Sequence, residues 1–275
     1  MSQATDGGAP SSRTDAGPWI EALRRSHQNL QALVEPLSAE ELRRPSYCRD
    51  WSIAQVVSHL GSQAEIFGRF LDAAVRGEDP PGRDGFPAVW DAWNSRSPDA
   101  QATDGLLADQ ATLSRFESLD PEQRQRLRLQ IFGMDVDTAD LARMRLGEHV
   151  VHSWDVAVAL DPGADLAPDA AALLVDTIGQ LAGRAGKPDG TQRRIWVVTT
   201  DPDRLFVLET GDGVVLTLAE AEDDIEETTS GQGSLILPAA ALIRLVYGRL
   251  DADHTPPVDT HEVDLDQLRQ MFPGF

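Results

Sequence analysis

The stretch Arg145–Leu160, RLGEHVVHSWDVAVAL, sets apolar and ionisable side chains at helical spacing. Val151, Trp154 and Val158 recur three and four residues apart, which is the spacing of one face of a helix. The pattern predicts a helix from about residue 137 to residue 160, ended by the DPG sequence that follows. A helix of this length is typical of a member of a helical bundle.

The same helix carries the polar residues Glu148, His149, His152 and Asp155. Residues four apart lie above one another on a helix, so Glu148 and His152 can direct their side chains at one point, with Asp155 on the same side. His149 is rotated by about 100° from Glu148 and is expected to point elsewhere. A catalytic zinc site commonly has three protein ligands and an open position. Glu148 and His152 could supply two of them, so a third must come from another part of the chain.

His59 is the candidate for that third ligand. It lies in a second amphipathic pattern, which begins after Asp50 or Ser52 and ends before the breaker sequence GEDPPGRDG at residues 77–85. Its neighbours are apolar, so a histidine at this position is expected to face the bundle interior. The residues alone also fit a hydrogen-bonded core histidine, and Glu-x-x-x-His pairs are common on solvated helix faces. Both interpretations stay open on this pattern.

Two further helical regions complete the predicted bundle. One follows the apolar spacing of residues 19–34, with Asp15 as a candidate cap. The other lies between Pro87 and Leu119, where SPDAQATDG at residues 97–105 is expected to interrupt it. Four helices joined by loops predict a four-helix bundle, which we assign to residues 16–163.

Beyond residue 163 the pattern changes from helices to a mixture of helix and strand. A helix is predicted within residues 169–186, and a brief strand followed by a helix that ends near Gly248 or Arg249 is predicted from SLILPAAALIRLVYGRL at 234–250. Short strands are predicted at RRIWVVTT (193–200), RLFVLETG (204–211), GVVLTLAEA (213–221) and DDIEETTSG (223–231). Residues 164–275 are therefore assigned to a small α+β domain.

Composition excludes several classes of partner. The formal net charge is −21, from 45 acidic against 24 basic residues, which disfavours nucleic acid and anionic membranes. No apolar run approaches the roughly 20 residues of a membrane-spanning helix. Cys48 is the only cysteine, and the Ser- and Gly-rich residues 1–15 are interpreted as a disordered tail and not a secretory signal. A cytoplasmic location is expected, and the richness in Ala, Arg, Asp and Gly with a single lysine, Lys187, indicates a GC-rich genome.

Two motifs resemble those of the DinB-like superfamily, and within it the mycothiol-dependent maleylpyruvate isomerase family. CRDWSIAQVVSHL at residues 48–60 is similar to the family's Cys-x-x-Trp-Ser/Thr opening with a helix ending in His-Leu, and Arg145–Leu160 is similar to its Arg-x-x-Glu-x-x-x-His-x-x-Asp helix. The resemblance covers about residues 15 to 160 and extends, less specifically, to a sterol-carrier-like C-terminal domain. It implies that His59, Glu148 and His152 bind a divalent metal, usually zinc.

The resemblance also bears on three other residues. Arg249, in the sequence YGR, resembles an arginine of the C-terminal domain that reaches the active site and binds an anionic group, with Arg244 as the alternative. Asp155 is expected either to accept a hydrogen bond from a ligand imidazole or to form a surface ion pair. Arg145 could hold Glu148 or Asp155, or form a purely structural ion pair. Arg249 and Asp155 are accordingly the catalytic candidates.

A metal with an open position can keep a bound thiol or water deprotonated at neutral pH. The thiol that the resemblance implies is mycothiol, the low-molecular-weight thiol of actinobacteria, whereas Cys48 is interpreted as a packed cysteine. The predicted function is a zinc-dependent mycothiol S-transferase or cis-trans isomerase, monomeric or homodimeric, acting on a small electrophilic and anionic substrate. The alternatives are a metal-dependent hydrolase of an amide or thiol conjugate, and a non-catalytic protein that retains a metal or small ligand.

Overall fold

The computed structural model describes residues 15–48, 50–219 and 233–274. The predicted tail lies outside these ranges except for Asp15, and the predicted strand at residues 223–231 lies wholly outside them. Within the described ranges, no helix has both the length and the apolar character needed to cross a bilayer.

The N-terminal part is the predicted four-helix bundle. Its helices are α1 (Gly17–Val34), α2 (Ile53–Arg76), α3 (Phe86–Asn94), α4 (Pro98–Ser118), α5 (Pro121–Arg126) and α6 (Thr138–Leu160). The four long members are α1, α2, α4 and α6; α2 packs against α4 and α6, and α1 packs against α6 and α4. The first part of the predicted fold class is thereby confirmed.

Side-chain caps define where the two site-bearing helices begin. Ser52 caps α2 by accepting a hydrogen bond from the amide of Gln55, whose side chain in turn accepts one from the amide of Ser52. Asp137 and Asp140 form the same reciprocal box at the start of α6. Such boxes satisfy amide groups that have no partner within the first helical turn. The starting residues of α2 and α6 are therefore fixed by side-chain hydrogen bonds.

The third helical region is broken earlier than expected. The break falls at residues 95–97, so it overlaps the predicted interruption SPDAQATDG only at Ser97, and α4 runs through the rest of that stretch, residues 98–105. The side chain of Ser97 accepts a hydrogen bond from the amide of Ala100, and Pro98 follows at the first helical position, where its missing amide costs nothing. Gly105 then lets α4 approach α2 closely, because a Cβ there would lie 2.6 Å from the carbonyl oxygen of Val57.

A β-hairpin before α6 was not anticipated from the sequence. Strand β1 (Arg128–Ile131) pairs with β2 (Met134–Asp137) in antiparallel register. The two-residue turn consists of Phe132 and Gly133, both with positive φ, as a tight hairpin turn requires. Glycine adopts this backbone conformation without strain, but phenylalanine does not.

The C-terminal part contains helices on a mixed five-stranded sheet. Its elements are α7 (Pro168–Val175), α8 (Ile178–Ala185), β3 (Arg193–Thr200), β4 (Arg204–Thr210), β5 (Val214–Leu218), β6 (Gly233–Pro238), α9 (Ala239–Val246), β7 (Asp259–His261) and α10 (Leu265–Met271). The strand order is β5-β4-β3-β6-β7, and β3 and β6 are the parallel pair. This sheet confirms the α+β part of the predicted fold class.

The single helix predicted within residues 169–186 is instead two short helices. The chain breaks at Asp176 and Thr177, where the hydroxyl of Thr177 donates to the carbonyl of Leu174 and competes with continued helical bonding. One cluster of buried apolar side chains runs from the bundle through α7 and α9 into the sheet. This shared core holds the chain after α9 against the bundle, which places C-terminal residues beside α6.

Candidate metal centre and adjoining cavity

The three predicted ligands meet where α2 and α6 face each other. Nε2 of His59 lies 3.7 Å from Oε2 of Glu148, and Nε2 of His152 lies 3.8 Å from the same oxygen. The two imidazole rings have centroids 4.6 Å apart, and one ligand atom from each residue lies within 4.8 Å of the others. A tetrahedral metal with bonds of about 2.0–2.1 Å holds its ligand atoms about 3.4 Å apart. Small side-chain adjustments would let all three atoms reach one ion.

The protonation states also suit a cation. Loss of hydration lowers the pKa of His59 below its ordinary 6.5, although the interaction with Glu148 opposes this, so the ring is neutral at pH 7. Loss of hydration would raise the pKa of Glu148, but the interactions with His59, His152 and Arg145 lower it to about 2. Metal ligands must be neutral imidazoles and ionised carboxylates. His59 and Glu148 therefore already have the required forms.

Asp155 lies behind His152. Its Oδ2 is 2.8 Å from Nδ1 of His152, and its two carboxylate oxygens accept from Nε and an Nη of Arg249 at 3.3 and 3.2 Å. An Nδ1–H donated to Asp155 fixes the ring tautomer and leaves the lone pair of Nε2 facing Glu148. Of the two expectations for Asp155, the structure shows the hydrogen bond to the imidazole and not a surface pair, because the carboxylate is fully buried.

Cys48 is held by the same carboxylate. Its Sγ lies 3.0 Å from Oδ2 of Asp155 and 3.5 Å from an Nη of Arg249. Burial and the negative charge of Asp155 raise the pKa of the thiol to about 12, although Arg249 opposes this. A thiol with such a pKa is protonated at neutral pH and is a poor nucleophile. The geometry agrees with the interpretation of Cys48 as a packed cysteine.

The candidate ligands open on a cavity of about 1070 Å³ between the bundle and the C-terminal part. The bundle contributes Trp51, whose ring lies 5.0 Å from that of His59, centroid to centroid. The C-terminal part contributes Tyr247, Arg249 and His254. Arg249 therefore reaches the cavity, whereas Arg244 is not part of its lining: the Arg244 side chain is buried against the ring of Trp154 and donates to the carbonyl of His254.

A tight turn after α9 brings Arg249 to this position. Gly248 has φ of 72°, and a Cβ on it would lie 2.4 Å from the amide nitrogen of Gly274, so the turn requires glycine. The Arg249 guanidinium then donates to the carbonyl of Tyr247 as well as to Asp155. Arg249 is a fixed cation in the wall of the cavity.

A second cluster of histidines and a carboxylate lies deeper in the bundle. Oδ2 of Asp109, on α4, is 2.7 Å from Nδ1 of His27 and 2.7 Å from Nε2 of His149, and its Oδ1 is 2.6 Å from an Nη of Arg145. Ser26 hydrogen-bonds the other nitrogen of His149 at 2.7 Å. All five residues are buried. We call this set the core cluster, and His59, Glu148 and His152 the open cluster.

The core cluster settles two questions that the sequence left open. Arg145 forms a structural ion pair with Asp109 and makes no hydrogen bond to Glu148 or Asp155. The other Arg145 hydrogen bond goes to the carbonyl of Leu60, next to His59. His149 points away from the open cluster, as predicted, but into this network. Asp109 was missed because a single acidic residue in the polar sequence of α4 gives no signal of burial.

Comparison with known proteins agrees with this architecture. Residues 23–157 match the family described as the mycothiol maleylpyruvate isomerase N-terminal domain, and over these residues the chain belongs to that family. No functionally curated protein matches the chain by sequence.

Solved structures extend the likeness to nearly the whole chain. The crystal structure of the mycothiol-dependent maleylpyruvate isomerase superposes with a TM-score of 0.65 at 14% identity, covering 90% of this chain and 93% of the isomerase. A histidine-to-alanine mutant of that isomerase gives a TM-score of 0.63 at 13% identity, covering 86% and 90%. At these identities the likeness establishes a shared fold, with the bundle and the C-terminal part in one arrangement.

Proposed function

We propose that the chain is a metal-dependent enzyme that uses mycothiol, as a thiol S-transferase or a cis-trans isomerase, on a small electrophilic and anionic substrate. The observation that carries the proposal is the convergence of His59, Glu148 and His152 on a cavity that Arg249 also lines. The family to which residues 23–157 belong supports the choice of thiol.

The donor set of the open cluster fits a divalent cation such as Zn²⁺. Two imidazole nitrogens and one carboxylate, with a cavity on the free side, match the three protein ligands and open position of catalytic zinc sites. When bound there, such a metal supplies a positive charge that favours the thiolate form of a thiol at neutral pH. In our proposal His59, Glu148 and His152 hold the ion, and Asp155 fixes the ring of His152.

Besides the residues that hold the metal, the proposed reaction uses Arg249. A thiolate sulfur forms a C–S bond to one carbon of an electron-poor double bond, and the displaced electron pair moves onto the conjugated carbonyl oxygen. The remaining C–C single bond rotates; return of the electron pair then breaks the C–S bond and gives the isomer with the thiolate regenerated. In a transferase the carbanion-like product takes a proton, and the C–S bond stays. Both outcomes use the same residues, and Arg249 provides a cation for the developing or resident negative charge.

Metal content and thiol dependence test the proposal together. Protein purified without chelator is expected to contain about one divalent ion per chain, and His152→Ala is expected to lose it. The wild type should convert an activated cis-alkene acid, such as maleylpyruvate, only when mycothiol is present. A metal-free wild type would overturn the metal site. Turnover without thiol would indicate a hydrolase, and retention of metal without turnover on a panel of thiols and electrophiles would indicate a binding protein.

A further inference from the structure

A second cavity of about 450 Å³ lies on the other side of Tyr247 from the first and has a different chemical character. Gln63, Glu148 and Tyr247 line both cavities, so the second one reaches the open cluster directly. The remainder of its wall is mostly apolar and comes mainly from α2, α3, α6, α7, α8 and the tip of the β1–β2 hairpin. Its aromatic members are Phe67, Phe70, Phe86, Trp90 and Phe132. We call this cavity the aromatic pocket.

The partition between the two cavities depends on one glycine. A Cβ at Gly147, next to Glu148, would lie 2.5 Å from the hydroxyl oxygen of Tyr247. The absence of that Cβ lets the Tyr247 ring lie against α6, beside the candidate ligand. A molecule in the aromatic pocket would thus be separated from the first cavity only by the shared side chains of Gln63, Glu148 and Tyr247, and would contact the edge of the candidate metal site.

Phe132 closes the aromatic pocket in a backbone conformation that disfavours it. Its φ is 55°, in the left-handed region where a bulky residue costs about 1 kcal/mol or more. Its ring is exposed and stacks edge-on against Phe70 and Phe86, with centroids 6.2 and 6.1 Å away. A glycine or asparagine would suit the turn better. The backbone strain at Phe132 is offset by the ring contacts with Phe70 and Phe86, through which Phe132 adds aromatic surface to the pocket wall.

Three arginines line this apolar wall, Arg83, Arg143 and Arg184, and Arg143 is paired with Asp140. The guanidinium carbon of Arg83 lies 3.9 Å from the centroid of the Phe132 ring, and Arg184 contacts Met134 Sδ and the carbonyl of Gln180. Within the parts of the chain that the structure describes, neither arginine forms an ion pair with a carboxylate. Acidic residues outnumber basic ones by 45 to 24, so carboxylates are not scarce. Two such arginines at an apolar pocket are a recognition pattern for an anionic group attached to an apolar body.

From this juxtaposition we infer that the electrophile is amphipathic: an aryl or similarly bulky apolar group fills the aromatic pocket, and its carboxylate or sulfonate pairs with Arg83 and Arg184. The inference rests on the proposed function for its chemistry, since the electron-poor carbon would lie beside Glu148, with the thiol in the larger cavity. Small dicarboxylates such as maleate would leave the aromatic pocket unfilled and are expected to be converted with a lower kcat/KM than aryl substrates.

Binding of an aromatic sulfonate tests the pocket without any catalysis. The probe is 8-anilinonaphthalene-1-sulfonate, followed by its fluorescence in chelator-treated protein. We expect the wild type to bind the probe at one site per chain. The Kd of the probe should rise about tenfold or more in the double variant Arg83→Gln/Arg184→Gln, and several-fold in Phe132→Asn. Phe132→Asn should have an unchanged or higher melting temperature, because it relieves the turn. Arg128→Gln, which removes an arginine of the same hairpin outside the pocket, should bind within twofold of wild type.

Turnover separates this inference from the proposed function. With mycothiol present, kcat/KM for 3-benzoylacrylate, an aryl enone acid, should exceed that for maleate and should fall in the two pocket variants, while the value for maleate stays constant. Probe binding equal to wild type in both pocket variants would overturn the inference. Mycothiol-dependent turnover of 3-benzoylacrylate that is the same in wild type and both variants would overturn it as well. Pocket-dependent probe binding with no thiol-dependent turnover would instead reject the proposed function and leave the pocket assignment standing.

Discussion

The open cluster and the core cluster are built from the same residue types in one bundle, yet their spacing differs. In the core cluster one nitrogen of each histidine lies 2.7 Å from Oδ2 of Asp109, which is a completed hydrogen bond. In the open cluster the corresponding distances to Glu148 are 3.7 and 3.8 Å, too long for a hydrogen bond. All residues of the core cluster are buried, and only His27 borders a smaller cavity, whereas the open cluster faces the large cavity between the bundle and the C-terminal part.

This difference separates a structural network from a candidate binding site. Short contacts mean that donors and acceptors have satisfied one another, so no ion is required and none would fit without breaking them. Wider spacing leaves lone pairs directed at a common point, which an ion with bonds of about 2 Å can occupy. A grouping of histidines and a carboxylate therefore indicates a metal only when its internal distances leave room for one. Carboxylate-to-amide substitutions in each cluster should have opposite consequences.

The largest effect is expected for Asp109→Asn in the core cluster. The change removes the charge that pairs with Arg145 and leaves a buried guanidinium without its counterion. Breaking such a pair costs about 3–5 kcal/mol of unfolding free energy. Denaturant unfolding of chelator-treated protein measures it, and a loss below about 1 kcal/mol would contradict the structural role.

Asp109 also gives the stability a pH dependence with a definite sign. Burial opposes its ionisation, but His149, Arg145 and His27 hold its pKa well below the ordinary 3.8. A depressed carboxyl pKa contributes stability that is present above the unfolded pKa and is lost as the pH falls through the folded value. The unfolding free energy of the wild type should therefore decline below about pH 4 more steeply than that of Asp109→Asn.

The matched change in the open cluster, Glu148→Gln, should cost less stability and remove metal binding. The surroundings that lower the pKa of Glu148 stabilise the metal-free fold, but the side chain is half-buried and lies 3.7 and 3.8 Å from the histidines, so solvent screens this contribution. The unfolding free energy of metal-free protein should therefore fall by less than about 2 kcal/mol, a smaller loss than in Asp109→Asn. Loss of the only anionic ligand should weaken Zn²⁺ binding at least about 100-fold, or about 2.7 kcal/mol. Competition with a chromogenic chelator measures the affinity. Unchanged affinity would place the metal elsewhere.

A smaller effect is expected for Asp155→Asn, because Asp155 acts through His152. Removing a carboxylate behind a ligand imidazole costs about 10- to 100-fold in metal affinity. Asp251→Asn is the matched control: Asp251 hydrogen-bonds His254 at 2.7 Å in the same cavity but contacts no candidate ligand, so metal affinity should stay unchanged. Equal losses in both variants would show a general electrostatic effect of the cavity instead of positioning of His152.

The smallest effect is expected for Cys48→Ser. Cys48, His152 and Asp155 form the remaining group of possible ligands in this region among the described residues. Because the thiol is protonated and bonded to Asp155, we expect it to contribute nothing to metal binding, and the affinity should change by less than threefold. A loss comparable to that of Glu148→Gln would transfer the site from the open cluster to this group.

The sequence predicted what local periodicity controls. The apolar spacing around Val151 and Trp154 gave α6, and the Ser52 cap followed by a regular pattern gave α2. It failed where short-range chemistry competes with periodicity, as at the break after Val175 and at the hairpin that ends in Phe132 and Gly133. The turn conformation of Phe132 runs against its own preference, so no local rule could have placed it.

By itself the sequence determined which residues share a helix face, since a rise of 1.5 Å and 100° per residue places Glu148 and His152 together wherever the helix lies. Only the tertiary structure decided that His59 approaches them while His149 turns inward to Asp109. The packing of α2 against α6 sets the first approach, and the position of Asp109 on α4 sets the second. A difference of 1 Å between the two clusters separates a finished hydrogen bond from room for an ion, and helical periodicity carries no information at that scale.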